Sequence, residues 1–247
     1  MVNTLKFDLY KMIKSKSVWI ILGVSLLLEV LELYFSYRNY PIGEVFDNNT
    51  SRAAVMSFSI PIFAAVFSGK DMSTGYIKNV YSSVGKFGYI LSKVVVIVTY
   101  TLISSFCVLL LEIFFNYTMG EGIMFDPALP VGAYFANRAL LNWAYIGLGA
   151  FIMLIEMLVK KEYVVALIYV VYVTFVMNLF YQMLGSIFSL EYYGDIGAYL
   201  PVGIVNTESI FSYRGRTDDS LKCLLMVSIW FAVSLVGSWL LFRRKKV

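Results

Sequence analysis

Glu29, Glu32, Glu112 and Arg138 are ionisable side chains set inside long apolar runs of this sequence. A charge of this kind costs about 3 kcal/mol when it faces lipid at mid-bilayer, so it turns towards a partner, a water-filled path or the interface. Glu29 and Glu32, three residues apart, share one helical face. Arg138 has the opposite sign and is a candidate partner for one of the glutamates. Two readings follow. The set lines a substrate path that attracts a cationic or amphipathic cargo, or Glu32 and Glu112 simply reach water at the outer interface and leave Glu29 to explain. Glu156 has Lys160 four residues on, the spacing of a structural helix pair.

A second stretch offers binding instead. Gly69 to Lys93 is a polar, lysine-bearing interval between two apolar runs. Ile77, Val80, Tyr81 and Val84 recur within it at i, i+3, i+4 and i+7, which makes one apolar helical face. That face suits either a docking surface or an ordinary interfacial connector.

Much chemistry is excluded by what the sequence lacks. It contains no histidine, which removes histidine-ligated metals and histidine-based acid–base or serine catalysis. Gly85-Lys86 has no phosphate-cradling G-x-x-x-x-G-K-[ST] frame around it, so ATP hydrolysis is not expected from this chain. Cys107 and Cys223 both fall in apolar runs, which argues against a disulfide framework.

The elements that must position these groups are membrane helices. The 247 residues are 60% hydrophobic and only 15% charged, with mean hydropathy +0.75; a soluble domain carries about 25% charged residues. Apolar runs of bilayer-crossing length recur with short polar gaps, and the alternation of a membrane β-barrel is missing. The expected fold is an all-α membrane protein with six transmembrane helices, at 17–37, 53–68, 87–117, 131–159, 163–184 and 221–242. Pro61 predicts a kink in the second span. Tyr163, Tyr169, Tyr172, Phe175, Phe180 and Tyr181 crowd the fifth, as cargo lining or as packing and interface belt. Residues 69–86 form a cytoplasmic loop. The interval 185–220, broken by Gly194, Gly197, Pro201 and Gly203, suits a re-entrant outer segment.

Residues 1–16 precede the first span and are expected to be retained rather than cleaved. Leu5, Leu9, Met12 and Ile13 share a face, with Asp8, Lys11 and Lys14 off it, so an amphipathic helix lying in the inner interface is predicted, its lysines towards anionic headgroups. Charge then sets the orientation. The N-terminus, the 69–87 loop, residues 160–162 and the C-terminal tail collect thirteen of the 20 lysines and arginines, whereas most carboxylates fall on the other side. The positive-inside rule therefore places both termini in the cytoplasm, which requires an even number of spans.

With this layout the chain resembles the ABC-2 type transporter permeases (type V exporters), in particular the short permeases of bacterial peptide-export and lantibiotic-immunity systems such as the phenol-soluble-modulin exporters. The resemblance covers essentially the whole chain as layout. Its most specific part is the loop, where Asp71, Gly75, Ile77-Lys78, Gly85-Lys86 and Lys93 follow the family's order of acidic residue, glycine, apolar-basic helix, small-basic pair and span-opening lysine. The family usually has Ser-Arg where this chain has Gly85-Lys86. Tyr199-Leu200-Pro201 also matches its outer segment.

The resemblance implies that the loop is a coupling helix. Asp71, Gly75, Ile77, Lys78, Val80, Tyr81 and Val84 would seat it in a groove on a separate P-loop ATPase subunit. ATP and magnesium would bind that partner, present in two copies, and no cofactor this chain. A second permease copy would complete a homodimer in the cytoplasmic membrane, exporting an amphipathic peptide such as a toxin or bacteriocin; small drugs or lipids are the alternative cargo. No nucleic-acid partner is implied. Two rival classes remain: an ion-gradient-driven transporter or channel using Glu29, Glu32 and Glu112 as proton or cation sites, and a substrate-binding importer component or sensor.

Overall fold

A computed structural model of the chain describes residues 2–39, 49–73, 77–119, 131–159, 161–172 and 217–244. These are helical almost throughout, with no strand among the described residues. The helices are α1 (Val2–Lys14), α2 (Lys16–Asn39), α3 (Asn49–Ser73), α4 (Ile77–Met119), α5 (Val131–Val159), α6 (Glu162–Val171) and α7 (Thr217–Arg244). Four stretches are long and apolar enough to cross a membrane: Lys16–Phe35, Phe87–Phe115, Arg138–Val159 and Leu224–Leu241. Only 22% of the first and 17% of the last is buried. Leu27, Leu28 and Leu31 of α2 and Leu225, Ile229 and Val236 of α7 stand exposed. Such surfaces call for an apolar solvent, as expected of a helical membrane protein.

The predicted second span, 53–68, lies within the longer α3, which is not among the four apolar stretches. Serines at 57, 59 and 68 dilute it, yet it is the most enclosed helix of the bundle. From Val55 to Gly69 only Phe58 and Ile62 are more than marginally exposed. Helices α2, α4, α5 and α6 all pack against it. The predicted fifth span starts as α6; its remainder from 173 on lies outside the described residues, as do the loop residues 40–48 and 120–130. Of the expected re-entrant segment, 185–216 lie outside them too, and 217–220 belong to α7.

Pro61 sits in the middle of α3, and the helix runs through it. Proline has no N–H, so the carbonyl four residues earlier, on Ser57, loses its helical donor. The Tyr169 hydroxyl of α6 donates to that carbonyl at 2.7 Å. The orphan acceptor is thereby satisfied, and α6 is fixed against α3. One turn further along α3, Phe63 stacks on Tyr100 of α4 with centroids 3.8 Å apart, and the Tyr100 hydroxyl shares a hydrogen bond with Ser59 at 2.9 Å. Helix α5 approaches closely through Gly149, where a Cβ would meet Ile97 Cγ2 at 2.7 Å. Gly147 faces Val227 and Gly237 faces Leu154, so α5 and α7 run parallel.

Helix α4 is broken once. Gly85 has φ 75° and ψ 159°, a region that is essentially glycine-only. The break sets residues 77–84 apart from the long remainder of α4, and residues 69–73, expected in the loop, continue α3 instead. Replacing Gly85 with alanine is expected to lower stability by about 1–3 kcal/mol, read as a lower midpoint of unfolding in mild detergent. Gly23→Ala is the contrasting control: Gly23 is in α2 with nothing within 4 Å of an added Cβ, and the change should add about 0.5–1 kcal/mol.

Candidate functional site

The α1 end of the bundle holds a buried set of four charges drawn from three helices. Asp8 comes from α1, Asp71 from the last turn of α3, and Lys93 from α4 just past the Gly85 break. Lys93 donates to Asp8 at 2.8 Å and also pairs with Asp71. Lys11 of α1 pairs with Asp71 from the other side. Ser92 Oγ donates to Asp8 at 2.7 Å and the Tyr89 hydroxyl to Asp71 at 3.4 Å. The Lys93 ammonium lies 4.5 Å from the Phe67 ring centroid and 5.1 Å from that of Tyr89. Lys93 and Asp71 are 0% exposed and Asp8 is 1% exposed.

Two anions and two cations balance here, with hydroxyl groups and aromatic faces around them. This balance makes burial tolerable: an isolated charge would be costly, whereas a paired and hydrogen-bonded one is not. Asp71 and Lys93 also bracket residues 72–92 in the chain. Their pairing clasps the base of the segment that carries the 77–84 helix.

Asp71, expected at the docking surface, is 0% exposed and engaged with Lys11, Lys93 and Tyr89. Helix α1 turns into the bundle two of the charges expected off its apolar face, Asp8 and Lys11, while Leu9 and Met12 of that apolar face pack there too. Its face towards the bundle carries Thr4, Asp8 and Met12, all buried, while Phe7, Tyr10 and Ile13 are exposed. Oppositely charged groups on α3 and α4 draw Asp8 and Lys11 inward, and Phe7, Tyr10 and Ile13 are left on the exposed side. Of the remaining docking candidates, Ile77, Lys78, Val80, Tyr81 and Val84 occupy the 77–84 helix. Gly75 lies outside the described residues.

The intramembrane candidates gather towards the opposite end. Arg138 of α5 donates to Glu112 of α4 at 2.9 Å. Its guanidinium also reaches Ser105, bonding Oγ at 3.2 Å and the carbonyl at 2.8 Å. Glu112 is 1% exposed, so the expectation that it reaches water directly is replaced by an ion pair. Glu29 is 0% exposed, and Glu32 lines a groove between α2 and α3. The buried Tyr145 hydroxyl of α5 feels the charges of Glu29, Glu32 and Arg138. Glu156 is likewise 0% exposed; its expected partner Lys160 lies outside the described residues.

The chain matches no family model and no curated protein. The case for its function therefore rests on this geometry and on the sequence pattern.

Asp8, Lys11, Tyr89 and Ser92 were not among the sequence candidates. The available signal was Lys93, a lysine inside an apolar run, which requires a carboxylate at its own depth. The residue that answers it is 85 positions away in sequence.

Proposed function

We propose that this chain is the membrane subunit of an ATP-driven exporter, with the 77–84 helix as its contact to a separate P-loop ATPase. One observation carries the reading: a short helix is set off by the Gly85 break and clasped at its base by the Asp71–Lys93 pair. Push on such a helix is delivered at once to α1, α3 and α4, because the four-charge cluster joins all three. The lysine distribution favours the cytoplasm for this end and for both termini. The chain itself has no phosphate-binding loop, so an energised partner is required.

In this reading α3 and the segment opened by α6 add two spans to the four apolar stretches, for six in all. Two copies of the chain and two of the ATPase make the working assembly in the cytoplasmic membrane, with an amphipathic peptide as cargo. ATP and magnesium reside on the partner. Residues 185–216 supply the re-entrant outer segment.

The test is co-purification. Ile77→Asp with Tyr81→Asp places two charges on the apolar face and is expected to abolish capture of the ATPase and stimulation of its turnover, with membrane insertion unchanged. A complex that survives the double change rules out this docking assignment.

A second reading has its own support. Glu29, Glu32 and the Arg138–Glu112 pair are the kind of intramembrane charges that proton- or cation-coupled carriers use. It predicts gradient-driven transport in liposomes containing this chain alone.

A further inference from the structure

The outward side of α1 and the start of α2 carry an inference that does not depend on the exporter reading. Between residues 1 and 28 the sole carboxylate is Asp8, against lysines at 6, 11, 14 and 16. The four-charge cluster takes Asp8 and Lys11 out of that set. Lys6, Lys14 and Lys16 stay exposed, and no acidic side chain of this stretch offsets them. Successive helical residues turn by about 100°, which puts Lys6, Tyr10, Ile13 and Lys14 within about one third of the α1 circumference, opposite Asp8 and Met12.

This face is basic and apolar at once. Tyr10 is 61% and Ile13 55% exposed, and Lys14 Nζ lies 5.8 Å from the Tyr10 ring centroid. Lysines interleaved with bare rings and aliphatic groups suit the boundary of a bilayer, where the ammonium meets phosphate and the ring lies at headgroup level. Depth is set by α2. Only Ser15 separates the two helices, and the first stretch long and apolar enough to cross a membrane starts at Lys16. Trp19 stands about 5 Å along it and is 54% exposed. Its indole N–H donates back to the Ile13 carbonyl at 2.6 Å. That bond ties the corner, so the exposed face of α1 is held where the apolar stretch begins.

We infer that this face docks on anionic phospholipid, with Lys6, Lys14 and Lys16 towards the phosphates and Tyr10, Ile13 and Trp19 towards the upper part of the acyl chains. A zwitterionic lipid offers the same chains, but its choline cancels the charge that the lysines answer. An acidic protein surface would match the lysines alone and has no use for bare rings beside the mouth of a span. The lipid holds α1 from outside while Asp8 and Lys11 hold it from within.

Photolabelling of the full chain in mixed-lipid nanodiscs tests this. Two probes carry a diazirine at the glycerol end of one acyl chain, one under a phosphatidylglycerol head and one under phosphatidylcholine, and labelled peptides are mapped by mass spectrometry. Within residues 6–19 the phosphatidylglycerol probe is expected to label more strongly by about fivefold for each lysine engaged. Lys6→Gln, Lys14→Gln and Lys16→Gln together should bring the two probes level, with the unfolding midpoint in phosphatidylcholine unchanged. Arginine at the same three positions should keep the preference, and decides the matter where the glutamine variant fails to fold. Lys245→Gln with Lys246→Gln, in the basic C-terminal tail, should also keep it. Equal labelling by both probes in the unaltered chain overturns the proposal. So does a preference that survives the glutamine variant or is lost in the arginine or tail variant. An unlabelled 6–19, the result expected if a protein covers this face, overturns it as well.

Discussion

Lys93→Met is expected to destabilise the protein by about 3–5 kcal/mol, because removing one member of a buried charge set leaves its partners uncompensated. Methionine keeps much of the aliphatic stem, so packing against Phe67 and Tyr89 changes little. Asp8 loses a donor at 2.8 Å and retains Ser92. Asp71 keeps Lys11, which is the more exposed of the two lysines. A second change, Asp8→Asn, should recover a large part of the loss, since Asp71 and Lys11 then remain as a balanced pair. Unfolding of the two single variants and the double variant in mild detergent closes the cycle. A coupling energy below about 0.5 kcal/mol between positions 8 and 93, the level seen for independent sites, means that the contact is not the one that holds α1.

The stabilising contact and the proposed coupling path are the same set of atoms. Lys93 receives Asp8 from α1 and Asp71 from α3 while belonging to α4 itself, so a displacement of the 77–84 helix cannot move α4 alone. On the proposed exporter reading, loss of α1 from the bundle in Lys93→Met should lower transport even where the protein remains folded, and the buried lysine serves coupling beyond any net stabilisation.

How far the sequence revealed this arrangement depended on the range of the signal. Helical character followed from composition and run length, properties read locally, and the structure is helical accordingly. The Arg138–Glu112 pair was within reach because rare opposite charges inside apolar runs seek one another. Helix α1 was legible in part: its periodicity separates apolar from charged positions but does not say that Asp8 and Lys11 turn into the bundle. Only the position of Asp8 relative to Lys93, fixed by tertiary packing, decides it. The enclosure of α3 was hidden in the same way. Its serines lower its hydropathy, whereas small residues permit the close helix contacts of a bundle centre. The role of Tyr169 was also out of reach: Pro61 announces an orphan carbonyl on Ser57, but not which hydroxyl will answer it.

Arg138→Met is the second change with a large expected effect, again about 3–5 kcal/mol, since it strands the Glu112 carboxylate at 1% exposure with the charge that faced it removed. It also deletes the two bonds to Ser105, whose carbonyl keeps its acceptor bond within helix α4, so the loss is chiefly that of the cation facing Glu112. Adding Glu112→Met removes the stranded charge and should restore most of the stability, as apolar replacement of a whole buried pair often does. That double variant also separates the two functional readings. If Glu112 and Arg138 serve only to join α4 and α5, the refolded double variant retains ATP-dependent export with its partner. If the glutamates carry protons or cations, the same variant is folded but no longer couples transport to a gradient. Stability measured beside transport therefore distinguishes a structural ion pair from a working one, and the comparison needs the double variant because Arg138→Met alone would lose both.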